Sequence, residues 1–406
     1  MTSDARGPAT AAGPRRRRAL AALCTTEVIS YGALYYAFPV LAGAITADTG
    51  WSRTAVTAAF SAGNLLGAAA GVPVGRLLER HGPRPVMTAG SVLGAVALVA
   101  VALAPGLGWF FGAWLLAGVA MACVFYPPAF AALTGWYGPD RVRALTTLTL
   151  VAGFASTVFA PLTAALVDQL SWRSTYLVLA GLLAVTTVPL HALALRLPWP
   201  RPHLDRTVVA SSTRAVVTSR TFLVLTGAMT LSALALFAVV VTVVPLLEGR
   251  GLSPTTAAWA LGLGGAGQVA GRLCYGRLAA RTSPYGRTAL VMGAGSAAAA
   301  LLAVVPGPAA LLLLASVLAG AVRGLFTLLQ ATLVSDVWGP ERFARLNGVF
   351  NAPLTAANAV APSVGVATAA VVGGYPQLFL VLAATGVLAG ALVLRGARPS
   401  AVAAAG

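Results

Sequence analysis

The sequence predicts an all-α integral membrane protein with twelve transmembrane helices, arranged as two pseudo-symmetric six-helix bundles. Three observations predict this fold class. Apolar residues make up 58% of the 406 residues and charged residues only 9%, whereas soluble proteins average about 45–50% and about 25%. The apolar residues form stretches of about 20, the length that a membrane-spanning helix needs. Finally, the second half of the chain repeats features of the first. The scarcity of charge excludes a soluble enzyme and a disordered chain.

Twelve apolar stretches are predicted to be the transmembrane helices. Proline and glycine separate several of them, for example at 105–106 and 306–308, because both residues end helices or begin new ones. The predicted helices span residues 19–45, 54–78, 86–105, 108–134, 143–167, 173–196, 221–247, 255–279, 287–305, 309–334, 343–371 and 375–395.

The arginine distribution predicts the orientation of the chain. All 27 basic residues are arginines, and most lie in the tails and in loops that this topology places on one side. Because an excess of arginine marks the cytoplasmic side, both termini are predicted to be cytoplasmic. The net charge of +17 then follows from topology, so no nucleic-acid partner is expected. The alanine-, glycine- and arginine-rich composition favours a bacterial inner membrane.

Three short motifs recur at a constant offset of 201 residues, pairing 75 with 276, 138 with 339, and 160 with 361. The repeat predicts two six-helix bundles joined by a cytoplasmic linker. Two similar bundles that rock about a central site can open it to either side in turn. The predicted boundaries are 1–18 for the N-terminal tail, 19–196 and 221–396 for the bundles, 197–220 for the linker and 397–406 for the C-terminal tail.

The loop after the second span carries the motif Gly75-x-x-x-Glu79-Arg80-x-Gly82-x-Arg84. Together with twelve spans in two halves, this motif resembles the loop signature of the major facilitator superfamily, which has aspartate in place of Glu79. The resemblance covers essentially the whole chain and implies the major facilitator fold and a transport function. Glu79 with Arg80 and Arg84 can form an ion-pair cluster that breaks when the bundles rock; ordinary cytoplasmic charges beside a turn glycine are the alternative. The predicted conformational latch comprises Gly75, Glu79, Arg80, Gly82, Arg84 and Arg141.

A finer resemblance is to the monocarboxylate-transporter and oxalate/formate-antiporter branch. Residues 36–39, Tyr-Ala-Phe-Pro, are similar to the Tyr-x-Phe-Pro stretch of that branch. Arg272 stands where monocarboxylate transporters have a substrate-binding arginine. Gln268 replaces the acid four residues before it, and Val40 replaces a lysine that many of these transporters carry. The resemblance therefore implies an anion-binding arginine but leaves the proton coupling of the branch open.

Two arginines lie within predicted spans, where a charge costs about 2.5–3.5 kcal/mol on insertion scales. Arg323 is near the middle of span 309–334, too far from either end to reach water. Arg272 lies close to the end of its span, so its long side chain either reaches the cytoplasm or lines the cavity. A guanidinium binds a carboxylate through two parallel hydrogen bonds, which makes both arginines candidates for binding an organic anion. A structural ion pair is the alternative for Arg323.

Glu27 is the only acid well inside a predicted span. Tyr31 and Tyr35 follow at steps of four residues, so the three side chains are expected to share one helix face. A low-dielectric surrounding favours the neutral form of a carboxyl group, which makes Glu27 the candidate for proton coupling. The alternative is a fixed counter-ion to a buried arginine.

A polar stripe at 347, 351, 355 and 358 runs along span 11 and must face protein or water. It either lines the cavity or hydrogen-bonds to a neighbouring helix. With this stripe included, the predicted substrate-binding residues are Arg272, Arg323, Gln268, Tyr31, Tyr35, Tyr126, Asn351, Thr355 and Asn358.

These features predict a secondary active transporter of a small organic anion, a mono- or dicarboxylate, that works by rocker-switch alternating access. A proton or an exchanged anion is the expected coupled species, and a monomer is the expected state. No catalytic residue, cofactor or metal is predicted, since the chain has no G-x-x-x-x-G-K-[ST] phosphate loop and no acid–base cluster. A proton-coupled drug or metabolite efflux transporter and a non-transporting membrane sensor are the alternatives.

Overall fold

The computed structural model describes residues 9–199, 213–340 and 343–396, which are mostly α-helical. The remaining parts of both tails, linker residues 200–212, and Glu341 and Arg342 of the repeat lie outside the described residues. The predicted all-α fold class is confirmed. The long helices are α1 (Ala9–Tyr31), α2 (Ala37–Thr49), α3 (Arg53–His81), α4 (Pro83–Ala102), α5 (Leu107–Val124), α6 (Tyr126–Tyr137), α7 (Arg141–Ala152), α8 (Ala155–Gln169), α9 (Trp172–Ala194), α10 (Arg220–Glu248), α11 (Pro254–Arg281), α12 (Pro284–Val304), α13 (Ala309–Trp338), α14 (Phe343–Val372) and α15 (Tyr375–Gly396).

Ten stretches of the described residues are long and apolar enough to cross a membrane. One of them, Leu107–Gln169, covers the two predicted spans 108–134 and 143–167, and the predicted span 255–279 coincides with α11. Helix α1 starts before residue 19, the predicted start of the span, because arginine is a good helix former and the run at 15–18 extends the helix. The chain is a multi-pass membrane protein.

Serine residues at the helix N-termini explain where several helices begin. In each case the serine hydroxyl accepts a hydrogen bond from the backbone N–H three residues later, which satisfies one of the unpaired donors at the start of a helix. The pairs are Ser52 with Ala55, Ser171 with Ser174, Ser219 with Phe222, Ser253 with Thr256, and Ser283 with Gly286.

Two helices end in carbonyl groups that accept hydrogen bonds from an arginine. Arg173, in the first turn of α9, donates to the end of α4, and Arg250, which follows α10, donates to the end of α12. Partial burial lowers the pKa of the Arg250 guanidinium from its ordinary value. The acceptor carbonyls are those of Ala102 and Ala104 for Arg173, at 2.8 and 3.0 Å, and those of Ala303 and Val305 for Arg250.

Contacts divide the chain into two compact units. Unit 1 comprises residues 1–203 with 340–352, and unit 2 comprises residues 204–339 with 353–406. Helix α14 therefore contributes its first turns to unit 1 and the rest to unit 2. The division into bundles at 19–196 and 221–396 stays a prediction.

Each unit contains a helix pair that packs through glycines. In unit 1, a Cβ at Gly118 of α5 would lie 1.9 Å from the carbonyl oxygen of Gly63 in α3. In unit 2, a Cβ at Gly320 of α13 would lie 1.9 Å from the carbonyl oxygen of Gly264 in α11. Because no side chain fits at these points, the two helices of each pair approach closely. Gly63 and Gly264 are themselves related by the repeat offset.

Candidate functional site

Two helices of unit 1 are interrupted in the middle of predicted spans. After α1, the first span continues as a π-helix over Gly32–Tyr36, where Gly32 leaves room for the ring of Phe159. The fourth span breaks at Phe125, which has an extended backbone between α5 and α6. Residues 127 and 128 are prolines without an N–H group, so they cannot continue the hydrogen bonding of α5. Such interruptions are frequent at functional sites.

The two interruptions meet at the ring of Tyr31. This ring is stacked on Phe125, with 3.9 Å between the ring centroids, and lies 5.0 Å from Tyr126. Tyr126 is in turn stacked on Phe130 at 4.9 Å. The structure thus brings together the predicted site residues Tyr31 and Tyr126, which are far apart in the sequence.

Tyr35 is predicted to share a helix face with Tyr31, but the structure places the two side chains on different faces. The π-helix has a wider turn than an α-helix, so it brings the fifth residue, rather than the fourth, back to the same side. Accordingly, Tyr36 lies 6.4 Å from Tyr31, whereas Tyr35 contacts Phe60 of α3 at 5.4 Å. Helix propensities do not distinguish this π-helical turn from the α-helix around it.

Glu27 is completely buried, and neither of its carboxylate oxygens has a hydrogen-bond partner among the described residues. The carboxylate lies close enough to Tyr31 and Cys24 to interact with both electrostatically. Within the described part of the chain, the ion pairs involve Asp48, Asp336 and Glu79 instead. These contacts give the counter-ion alternative no support.

A buried histidine that contacts Thr26, the residue before Glu27, connects three helices. His191 of α9 is hydrogen-bonded through Nε2 to Thr26 of α1 at 2.9 Å and through Nδ1 to Ser91 of α4 at 2.8 Å. The Thr26 hydroxyl donates to the carbonyl of Leu23, so its oxygen accepts from Nε2–H. The sequence does not indicate this network, because the three residues are distant along the chain.

In unit 2, glycines bring the helices that carry Arg272 and Arg323 together. A Cβ at Gly271 would lie 2.0 Å from the carbonyl oxygen of Ala321, and a Cβ at Gly324 would lie 2.1 Å from that of Gln268. Arg272 and Arg323 are the immediate neighbours of these two glycines. The two arginines and Gln268 therefore lie within about one helical turn of one another along the α11–α13 pair.

The two arginines differ in their surroundings. Arg272 is only 4% exposed, which disfavours the alternative that its side chain reaches the aqueous surface. Arg323 is half-buried, and its guanidinium carbon lies 4.9 Å from the ring centroid of Phe237 on α10. Unit 2 thus holds two guanidinium groups in protein surroundings, where a carboxylate is attracted more strongly than in water.

The polar stripe of α14 is divided between the two units. Asn347 and Asn351 are buried in unit 1, where the Asn351 amide donates to the Asn347 side-chain oxygen at 2.6 Å. Thr355 and Asn358 are half-buried in unit 2. Asn351 thus bonds within its own helix, and the structure does not gather the stripe into one cluster.

The predicted latch residue Glu79 pairs with an arginine that sequence reasoning did not select. Its Oε2 lies 2.6 Å from Nε of Arg345 in α14, as an ion pair whose angles fall short of a hydrogen bond. The structure does not show the expected cluster of Glu79 with Arg80 and Arg84 in the described part of the chain. Adjacent helix residues do not face each other, and Arg84 lies beyond the helix break at Gly82.

The other latch residues have separate structural roles. A Cβ at Gly75 would lie 2.7 Å from the carbonyl oxygen of Ala344, so this glycine permits close packing of α3 on α14. Gly82 has a φ of +80°, a conformation that favours glycine. Arg80 is exposed, whereas Arg84 and Arg141 donate to backbone carbonyls, those of Ala192 at 2.8 Å and Gly138 at 3.2 Å.

Unit 2 contains a buried ion pair that sequence reasoning also missed. Arg287 at the start of α12 donates to the carboxylate of Asp336 at the end of α13. The guanidinium carbon of Arg287 lies 5.5 Å from the ring centroid of Tyr275, whose hydroxyl is hydrogen-bonded to Thr332. The partner of Arg287 is 49 residues away, and no local pattern links the two.

The sequence matches the family model of the Major Facilitator Superfamily over residues 23–311 and 227–405. It is 31% identical over 260 residues to Monocarboxylate transporter 11 of Homo sapiens, covering 62% of this chain and 53% of the relative. It is 29% identical over 269 residues to Monocarboxylate transporter 13 of Rattus norvegicus, covering 64% and 56%. The chain thus spans about half the length of these curated relatives.

Solved structures share the fold at low sequence identity. The E. coli fucose:proton symporter superposes with a TM-score of 0.71 and 13% identity, over 93% of this chain and 98% of the symporter. The human organic anion transporter MFSD10 superposes with a TM-score of 0.71 and 17% identity, over 93% and 99% of the two chains.

Proposed function

Since this chain belongs to the Major Facilitator Superfamily, we propose that it is a secondary active transporter, not an enzyme, and that it moves a small organic anion. The proposed cargo is a mono- or dicarboxylate, and the proposed mechanism is rocker-switch alternating access. The proposed location is the inner membrane, with both termini in the cytoplasm. The similarity to relatives named monocarboxylate transporters supports this cargo class.

The observation that supports the proposal most directly is that Arg272 and Arg323 lie within about one helical turn of each other along the α11–α13 pair in unit 2. A guanidinium offers two parallel N–H donors that match the two oxygens of a carboxylate. Burial strengthens this attraction because less water screens it. Gln268 lies one turn before Arg272, and its side-chain amide can add a neutral hydrogen bond to the same anion.

Glu27 is the proposed site of proton coupling. A buried carboxylate without a partner gains a proton more readily than an exposed one, so an accompanying proton can neutralise it during transport. The Glu79–Arg345 ion pair, with Gly75 beside it, is the proposed latch. Its two members come from different helices, so a change in the packing of α3 on α14 would break it.

The first test is a ligand panel measured by thermal stabilisation of the detergent-purified protein, because a ligand that binds only the folded state raises its apparent stability. Lactate, pyruvate, oxalate, formate and larger carboxylates form one set, and hydrophobic cations form the other. We expect a carboxylate to stabilise the wild type, and to stabilise neither Arg272→Gln nor Arg323→Gln.

Arg277→Gln is the matched control, because Arg277 is exposed on the same helix α11. It should keep the carboxylate response in full, and the responding carboxylate should be taken up by proteoliposomes. Stabilisation by hydrophobic cations alone would contradict anion transport and would favour proton-coupled efflux of a drug or metabolite.

A further inference from the structure

Two buried polar residues of α1 follow Thr26 and have side-chain atoms without a hydrogen-bond partner among the described residues. Glu27 and Ser30 are both 0% exposed, and the two Glu27 oxygens and the Ser30 hydroxyl have no hydrogen-bond partner in the described part of the chain. Buried polar groups nearly always have partners, since leaving a buried charge unpaired is costly. This pair of orphaned groups indicates a place where something else binds.

The neighbours of Glu27 do not supply that partner. The buried base His191 uses both ring nitrogens for Thr26 and Ser91. No group of three or more His, Cys, Asp or Glu residues in the described ranges could hold a metal ion. A buried carboxylate requires a positively charged partner, such as a proton or an organic cation.

One helical turn beyond Glu27, aromatic rings form a box around Tyr31. Phe125 covers one face of the Tyr31 ring at 3.9 Å, while Tyr126 and Tyr36 flank it at 5.0 and 6.4 Å. Tyr31, Tyr36 and Tyr126 are only half-buried, so part of the box is accessible to a ligand. Aromatic faces beside a negative charge are the recognition chemistry of ammonium groups.

We propose that the accessible side of the Tyr31 ring in unit 1 binds an organic ammonium group, held by the ring and by the Glu27 carboxylate one helical turn away. A turn rises about 5.4 Å, so the side chains of Glu27 and Tyr31 come from neighbouring turns of one helix. The low dielectric of the interior strengthens the attraction between a carboxylate and an ammonium group. The binding of an ammonium group does not depend on the proposed transport function. Only the role of this site in transport rests on that function. The ammonium belongs either to a zwitterionic carboxylate or to a separate organic cation.

The test compares choline with 3,3-dimethylbutan-1-ol, which has the same shape and no charge. At pH 8, choline is expected to stabilise the detergent-purified full chain and the uncharged alcohol is not. Equal responses to the two compounds, or no response to choline, would overturn the proposal without any variant. An absent choline response together with a carboxylate response that needs Arg272 would leave the proposed function intact.

Two variants locate the site. Glu27→Gln and Tyr31→Leu are each expected to weaken choline binding about tenfold, and Asp168→Asn, an exposed acid of the same unit, is the matched control. Undiminished choline binding in Glu27→Gln contradicts the proposal. Glycine betaine then identifies the source of the ammonium group. If glycine betaine binding requires both Glu27 and Arg272, the ammonium belongs to a zwitterion. If choline binding is unchanged in Arg272→Gln and glycine betaine does not bind, the ammonium belongs to a separate cation.

Discussion

The two units cap equivalent helix ends with arginines from different places. The accepting carbonyls in α12, Ala303 and Val305, lie 201 positions after those in α4, Ala102 and Ala104. The donors do not correspond, because Arg173 opens α9 whereas Arg250 follows α10. Every helix C-terminus has unpaired carbonyls that favour a cation. The two units therefore share the need for a hydrogen-bond donor at this helix end. Each unit meets this need with an arginine from a different position in its sequence.

The interior charges behave in the opposite way. Each of Glu27, Arg272 and Arg323 occurs in one unit only, and the repeat offset places a small, uncharged residue at the equivalent position of the other unit. The repeated architecture therefore does not require a charge at these three positions, which agrees with their proposed role in transport. The equivalents are Ala228 for Glu27, Gly71 for Arg272 and Ala122 for Arg323.

The largest expected effect comes from the ion pairs, which differ between the units. In unit 2 the Arg287–Asp336 pair is hydrogen-bonded, whereas the Glu79–Arg345 pair of unit 1 lacks hydrogen-bond geometry. We expect Asp336→Asn to lower the free energy of unfolding by about 3–5 kcal/mol, because it leaves Arg287 buried and unpaired. Glu79→Gln should lower it by about 1–2 kcal/mol, because no hydrogen bond of this pair is lost. Unfolding of both variants in detergent measures the difference, and equal losses would show that hydrogen-bond geometry does not distinguish the pairs.

The glycine contacts should respond alike in both units. Gly118→Ala and Gly320→Ala each place a methyl group on a backbone carbonyl of the neighbouring helix, and we expect each to cost about 1–3 kcal/mol. Gly112→Ala in α5 and Gly262→Ala in α11 are the controls, because nothing lies within 4 Å of a Cβ there. A loss confined to one unit would break the equivalence of the two helix pairs.

The arginine caps should have a smaller and more local effect. Arg173→Gln and Arg250→Gln each remove charged donors from a helix end, at an expected cost of about 1–1.5 kcal/mol. Hydrogen–deuterium exchange should rise at the end of α4 in the first variant and at the end of α12 in the second. Exchange that rises elsewhere instead would argue that these arginines stabilise their own helices.

Local patterns predicted the helices well because spanning length and apolar composition are properties of neighbouring residues. The prolines at 127 and 128 could have indicated the break at Phe125. The π-turn at Gly32–Tyr36 could not be predicted, since it follows from the packing of Phe159 against Gly32.

The pairings of the site were harder to predict than its members. Glu27, Arg272 and Arg323 stood out because a charge in an apolar stretch is visible in the sequence. The partner of Glu79 was not visible, because Arg345 comes from a distant helix. The tie between Thr26 and His191 crosses 165 residues, and only the folded chain brings the two together.

The smallest effect on stability is expected at Glu27 itself, and it gives the sharpest contrast because the neighbouring residue has a structural role. Thr26→Val removes the acceptor of the His191 ring and should cost about 1 kcal/mol, since a buried N–H loses its partner. Glu27→Gln keeps the volume and breaks no hydrogen bond of the described residues. We therefore expect its free energy of unfolding in detergent to stay within about 0.5 kcal/mol of the wild type, about half of the loss expected for Thr26→Val. A marked destabilisation of Glu27→Gln would mean that the carboxylate belongs to the fold, and the assignment of single-unit charges to function would then fail at this residue.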